Sequence, residues 1–230
     1  MGRERIKFII GSIVIAAFFA GGISTAQAAD DIVAEGACCT FIGGPFSQAA
    51  GEVPTFVNPA DADAFHNVTS AETGPDGGPL FESETIPFGQ SAPVKGAQYL
   101  TDGSYPFVCT IHAPSMKGEL VVSGGTALPR PKVAISIPSQ KLKKVRKSGK
   151  VKVKVKAVTA APGIVLKLSK GKKQLGFKSG LSVAAGKTKT VAVKLTGKGK
   201  KALKNGKKVK ISANGAVAFG KAAKASRTLR

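Results

Sequence analysis

The chain has 230 residues, with 35 Lys and Arg against 13 Asp and Glu, a formal net charge of +22. With 43% apolar residues it is not broadly disordered, and its length allows two cores of about 100 residues each. The total charge describes neither half. Residues 130–230 hold 30 basic residues and no acidic one (+30), whereas residues 29–128 hold 12 acids against only Lys95 and Lys117 (−10). Segregation this sharp predicts two domains.

Arg3, Arg5 and Lys7 precede an apolar run from Phe8 to Ala20, and Ala26-Gln27-Ala28 offers a small-residue cleavage site. Residues 1–28 therefore read as a signal peptide. The run is shorter than the roughly 20 residues of a membrane span, so no transmembrane segment is expected after signal removal. The mature protein is expected to be exported and to work in the periplasm, at the cell surface or as a secreted protein.

Residues 29–122 read as an all-β unit. Short apolar stretches (Thr55-Phe56-Val57, Tyr105 to Cys109, Glu119 to Val122) alternate with Gly, Pro and Asp clusters such as Gly74-Pro75-Asp76-Gly77-Gly78-Pro79, and no stretch has capped helical periodicity. Alternation in Tyr105-Pro106-Phe107-Val108-Cys109 puts Tyr105, Phe107 and Cys109 on one face, directed inward. Residues 123–132 read as a Gly/Pro linker. Beyond it, Val151-Lys152-Val153-Lys154-Val155-Lys156, Val165 to Leu168 and Val191 to Leu195 alternate between apolar residues and lysine, the pattern of half-buried strands. Residues 133–230 are expected to form an immunoglobulin-like β-sandwich with one short helix over 198–205 closed by Gly206. The last ten residues read as a tail.

The chain has two histidines, His66 and His112, and one methionine besides the initiator, Met116. Cys109-Thr110-Ile111-His112-Ala113-Pro114-Ser115-Met116 gathers a thiolate, an imidazole and a thioether within eight residues. Two His, one Cys and a weak Met are a ligand set for copper in an electron-transfer site. Soft sulfur donors favour Cu(I), and imidazole suits both oxidation states. An isolated Cys-x-x-His is a weak signal, and a lone Cys ending a strand is usually a small core residue. Here both histidines and the internal methionine fall where such a site needs them. A zinc site would call for more Cys, His or carboxylate ligands and would leave Met116 unexplained.

Ala64-Phe65-His66-Asn67-Val68-Thr69-Ser70, the run from Gly103 to His112, and Met116-Lys117-Gly118-Glu119-Leu120-Val121-Val122 together resemble the plastocyanin/azurin family of cupredoxins over residues 37–122. The resemblance implies a Greek-key barrel or sandwich with one type 1 blue copper ion, bound by His66, Cys109 and His112 with Met116 as distant axial ligand. It also implies that Asn67 ties its strand to the backbone at Thr110, and that electrons leave by His112, with Pro114 on the same apolar surface. Three residues separate His112 from Met116, where plastocyanins usually have four and amicyanins two, so the potential does not transfer. Asn67-Val68-Thr69 also matches a glycosylation sequon.

The resulting expectation is a non-enzymatic one-electron carrier cycling Cu(I)/Cu(II) with a redox protein such as a c-type cytochrome. Acidic residues including Asp61, Asp63 and Glu72 could steer a basic partner, or simply keep the unit soluble. The alternatives are a copper-binding surface or structural protein without a dedicated redox partner, or a domain of a copper enzyme. No further histidines exist for extra copper sites, and no phosphate loop, dinucleotide fingerprint or Ser-His-Asp set is present. The basic half is expected to anchor the protein to anionic cell-wall or envelope polymers, or else to be a solvated stalk. Nucleic acid is disfavoured, because only Phe177 and Phe219 could stack on bases. Cys38 and Cys39 are adjacent, with Cα atoms about 3.8 Å apart, below the usual disulfide range of about 4.4–6.8 Å. An intermolecular bridge or a plain buried residue is expected there, since a bond to Cys109 would destroy the copper site.

Overall fold

The structure is a computed structural model that describes residues 28–36 and 39–230. The signal-peptide expectation for residues 1–28 lies, but for Ala28, outside the described residues, as does Cys38.

The N-terminal half is built from short strands whose alternate residues are buried. β1 (Ile32–Ala34), β2 (Phe41–Ile42), β4 (Thr55–Asn58) and β6 (Gln90–Pro93) form one sheet in the order β2-β1-β4-β6. β3 (Phe46–Ala50), β5 (Thr69–Ser70), β7 (Gly103–Val108) and β8 (Lys117–Gly125) form a second, in the order β3-β8-β7-β5. The β1–β4 and β3–β8 pairs are parallel. Both sheets feed one core that includes Ile32, Phe46, Phe56, Phe81, Phe107 and Leu120. Phe107 is the hub, with the rings of Phe41, Phe46 and Phe81 at 5.0, 6.0 and 6.3 Å. Burying such a ring contributes about 1.5–3 kcal/mol. Gly118 pairs with Phe107 across β7–β8, and a Cβ there would meet the Phe107 ring at 2.5 Å. Glycine at this position leaves room for the ring.

The Lys-rich half has its own core. β9 (Val133–Ser136), β10 (Lys150–Ala157) and β13 (Thr188–Lys194) form a sheet in the order β13-β10-β9. β11 (Ala161–Lys170), β12 (Lys173–Val183), β14 (Val209–Val217) and β15 (Gly220–Leu229) form its partner in the order β12-β11-β14-β15. Val151, Val153 and Val155 of β10 and Ile164, Leu166 and Leu168 of β11 are fully buried, while the intervening lysines face solvent. This is the period-two pattern realised as a β-sandwich.

Four details differ from the sequence reading. β8 runs on to Gly125, so the segment joining the halves is shorter than 123–132. A helix, α1 (Leu142–Ser148), precedes β10. It buries Leu142 and Val145 and ends at Gly149, whose φ of 64° suits glycine and whose N–H donates to the Val145 carbonyl. Its sequence signal is faint because Lys141 occupies the N-cap position and offers no acceptor. The helix expected over 198–205 is α2 (Gly197–Lys204), capped by Thr196, whose Oγ1 accepts the Gly199 N–H at 3.0 Å. Finally, the C-terminal residues are not a tail: β15 pairs with β14 from Val209↔Leu229 onward, and Leu229 is fully buried.

Candidate metal centre

Cys109 follows β7 directly and opens a tight loop. Its N–H donates to the Met116 carbonyl (3.0 Å), the His112 N–H to the Cys109 carbonyl (3.2 Å), and the Met116 N–H to the His112 carbonyl (3.1 Å). These bonds fix the residues carrying the thiol, the imidazole and the thioether relative to one another. His66 comes from the other side of the sandwich end. It exchanges both backbone hydrogen bonds with Ile86, at 3.2 and 3.0 Å. The buried Asn58 amide donates to the carbonyls of Ala64 and Ile86, holding that bridge in place.

Asn67 joins the two sides. Its Oδ1 accepts the Thr110 N–H at 2.9 Å, and its Nδ2 donates to Thr110 Oγ1 (2.8 Å) and Thr85 Oγ1 (2.9 Å). Asn67 is 5% exposed and both amide hydrogens are engaged, so the sequon is not presented as a glycan acceptor. Thr85 and Ser83, whose Oγ accepts the Val68 N–H at 2.9 Å, belong to the same frame. They belong to no motif, because their role depends on the register of residues 82–86 against 66–69.

Within this frame Cys109 Sγ lies 3.8 Å from His66 Nδ1 and 3.7 Å from His112 Nδ1. The imidazole centroids are 4.8 Å apart with the planes at 49°, and one donor atom from each of the three residues lies within 4.8 Å of the others. With metal–nitrogen and metal–sulfur distances of about 2.0 and 2.3 Å, those separations correspond to S–metal–N angles of about 115–125°. The three donors thus fit around a single ion. His66, Cys109 and Met116 are fully buried and His112 is half-buried; Ile111, Ala113 and Pro114 are exposed around it.

At His66 the ring nitrogen turned toward Cys109 Sγ is Nδ1. His66 Nε2 is buried without a hydrogen-bond partner, and such a group costs about 1–3 kcal/mol. Burial, then the neighbouring His112, pushes the His66 pKa below its ordinary value against the opposing pull of Asp63. This favours the neutral imidazole that a metal ligand must be. Cys109 is a free thiol and Cys39 is disulfide-bonded, so the thiol of the cluster is not consumed by a disulfide.

No protein-family model and no curated protein matches the chain. Among solved structures it is similar to the ligand-binding region of Serine-glutamate repeat protein A of Enterococcus faecium, at 12% identity over 41% of this chain and 89% of that one, TM-score 0.28. It is also similar to a tetra-tandem repeat from the extending region of a large adhesion protein, at 14% identity over 75% and 42%, TM-score 0.31. A third is the set of fibronectin(III)-like modules of Clostridium thermocellum CbhA, at 12% identity over 80% and 88%, TM-score 0.25. No family model matches the chain and none of these structures is a cupredoxin, so the plastocyanin/azurin resemblance is corrected. With it go the labels cupredoxin, plastocyanin-like, type 1 blue copper and electron transfer. The resemblance rested on three short segments around the donors. Such segments report a local arrangement of side chains, whereas a family is defined by sequence and strand order over a whole domain. What stands is the coarser class, an all-β chain of sandwiched sheets, and the cluster itself.

Proposed function

We propose that the protein is an exported, copper-binding surface or secreted protein without a dedicated redox partner. In this reading one copper ion is held by Cys109 Sγ, His66 Nδ1 and His112 Nδ1, with the buried Met116 as a weak fourth donor. The observation that carries it is the convergence of one thiol and two Nδ1 atoms at 3.7–3.8 Å in a buried, hydrogen-bonded frame. A thiolate with two imidazoles, joined by a thioether, suits copper, whereas calcium and magnesium take oxygen ligands and zinc sites do not use a thioether. A copper ion held there would supply a soft centre able to exchange one electron.

The chain's own residues do the rest. Asn67 and the 109–116 loop orient the donors, and burial of His66 and Cys109 keeps water from them. Outer partners of this kind are commonly worth 10–100-fold in metal affinity. The electron carrier docking on a cytochrome followed from the family resemblance and is withdrawn with it. No catalytic role is assigned. Export is part of the reading through the charged and apolar pattern of residues 1–28.

Native mass spectrometry of the protein loaded with Cu(I) under mild reduction, with zinc in tenfold excess, tests the proposal. One copper retained per chain is expected. Retention of zinc instead, or of no metal, would contradict it.

A further inference from the structure

The Lys-rich half presents a surface that the copper reading does not use. On β10, Lys150, Lys152, Lys154 and Lys156 occupy alternate positions and all face solvent, opposite the buried Val151, Val153 and Val155. At about 3.3–3.4 Å per strand residue, successive ammonium stems leave the sheet about 6.7 Å apart. β10 is the central strand of its sheet, and nothing described covers this face. On β13 the cross-strand neighbours of Lys152, Lys154 and Lys156 are Ala192, Thr190 and Thr188, which are small and uncharged. The row therefore runs along an open lane.

One side of the lane has a wall. The segment 138–141 and α1 stand beside the sheet and enclose with it a groove of about 690 Å³, lined among others by Lys141, Lys144, Lys150, Lys152 and Lys154. The wall is fixed to the strand. Gln140 Nε2 donates to the Lys152 carbonyl at 2.9 Å, and Gln140 Oε1 accepts the Lys152 N–H at 2.7 Å. This side-chain amide occupies the ladder positions just beyond β9, whose pairing with β10 begins at Lys154. α1 is held in turn by Arg146, which donates to the carbonyls of Leu203 and Gly206.

Among the described residues the Lys95–Glu84 pair is the salt bridge formed, and it lies in the other half. Arg130 lies within the field of Asp76, but among the described residues no cation of residues 130–230 forms a salt bridge. Most of these cations are exposed, and several stand in a straight row on a rigid strand, which favours a linear polyanion over a compact anion.

We infer that the β10 face and its α1 wall form a binding lane for an extended polyol-phosphodiester polymer, one charge of the polymer to each lysine. A repeat of six backbone bonds spans about 7 Å when extended, since three bonds of a peptide residue span about 3.3–3.6 Å. That matches the lysine interval. Duplex DNA is a poorer fit, with a charge every 1.7 Å of its axis, and the exposed residues of β9, β10 and β13 include no aromatic on which a base could stack. The inference is independent of the copper site.

The test uses the full mature chain and immobilised poly(glycerol phosphate), with affinity followed between about 50 and 300 mM salt. Two quadruple variants carry the same charge change. One is Lys150→Gln, Lys152→Gln, Lys154→Gln and Lys156→Gln. The other, at exposed positions of the partner sheet, is Lys167→Gln, Lys178→Gln, Lys210→Gln and Lys224→Gln. Thermal unfolding and circular dichroism confirm that both fold. The lane variant is expected to lose at least tenfold in affinity and to flatten the salt dependence by several counterions, and the control to lose less than threefold. Equal loss in the two variants would mean unlocalised charge attraction and would overturn the lane. So would no binding by the native chain, or equally tight lane-dependent binding of single-stranded DNA or anionic vesicles.

Discussion

The two halves are sandwiches of similar size that bury different kinds of residue. In the N-terminal half the core holds four phenylalanines, and the six buried polar residues of the described chain (Gln48, Asn58, His66, Asn67, Ser70 and Ser83) all lie there. The core of the Lys-rich half is Val, Leu, Ile and Ala throughout. A buried polar group is costly unless it is paired, so a half that keeps six of them, His66 among them, is organised to hold side-chain geometry. The aliphatic half is organised to present a face. Its chemistry lies outside, on lysines that alternate with the core valines. The halves touch through a small contact: Asp76 Oδ2 accepts the Phe219 N–H at 2.7 Å, and the Arg130 guanidinium sits 5.7 Å from the Tyr99 ring centre.

Four substitutions bear on this division. Cys109→Ser is expected to lower copper affinity by about 10³-fold, the share of one strong donor in a site worth about 10–16 kcal/mol; a competition titration measures it. A loss below tenfold would show that the buried cluster is not the site. Leu166→Ala in the aliphatic core is expected to cost about 2–5 kcal/mol, read from the unfolding of the Lys-rich half, with copper affinity unchanged within twofold. A matching loss of copper would show that the halves are not independent. Asn67→Ala removes the amide that bonds Thr110 and Thr85, and copper affinity is expected to fall about 10–100-fold with the thiol still titratable. Asp76→Ala should have the smallest effect, about 1 kcal/mol for the hydrogen bond to Phe219, with the second bond, from the Gly78 N–H, lying within its own exposed turn. It should appear as faster proteolysis between residues 125 and 133, with neither core destabilised.

Much of this division can be read in the sequence, because its causes are local. The charge split is a count, and the strict Val-Lys alternation of β10 fixes which face is buried whatever the rest of the chain does. The donors could be named because the chain has two histidines and one internal methionine, which leaves little choice. Thr85, Ser83 and Asn58 were not legible, since each acts across a register set only when the sheets close. α1 was missed because a lysine stands at its cap. The C-terminal strand was missed because its exposed residues are Lys, Arg, Ser and Thr and its half-buried ones alanines, so it shows no apolar alternation, and its pairing with β14 carries the order. The family resemblance failed for a related reason: short segments that converge on a site do not specify the domain around it.

The central claim is that one thiolate and two imidazoles of the N-terminal half hold a copper ion. X-ray absorption at the copper edge of the singly loaded protein tests it most directly. One sulfur scatterer at short range with two imidazole nitrogens is the result expected from the 3.7 and 3.8 Å separations of Cys109 from His112 and His66. A first shell of nitrogen and oxygen alone, or an unchanged sulfur signal in Cys109→Ser, would contradict it.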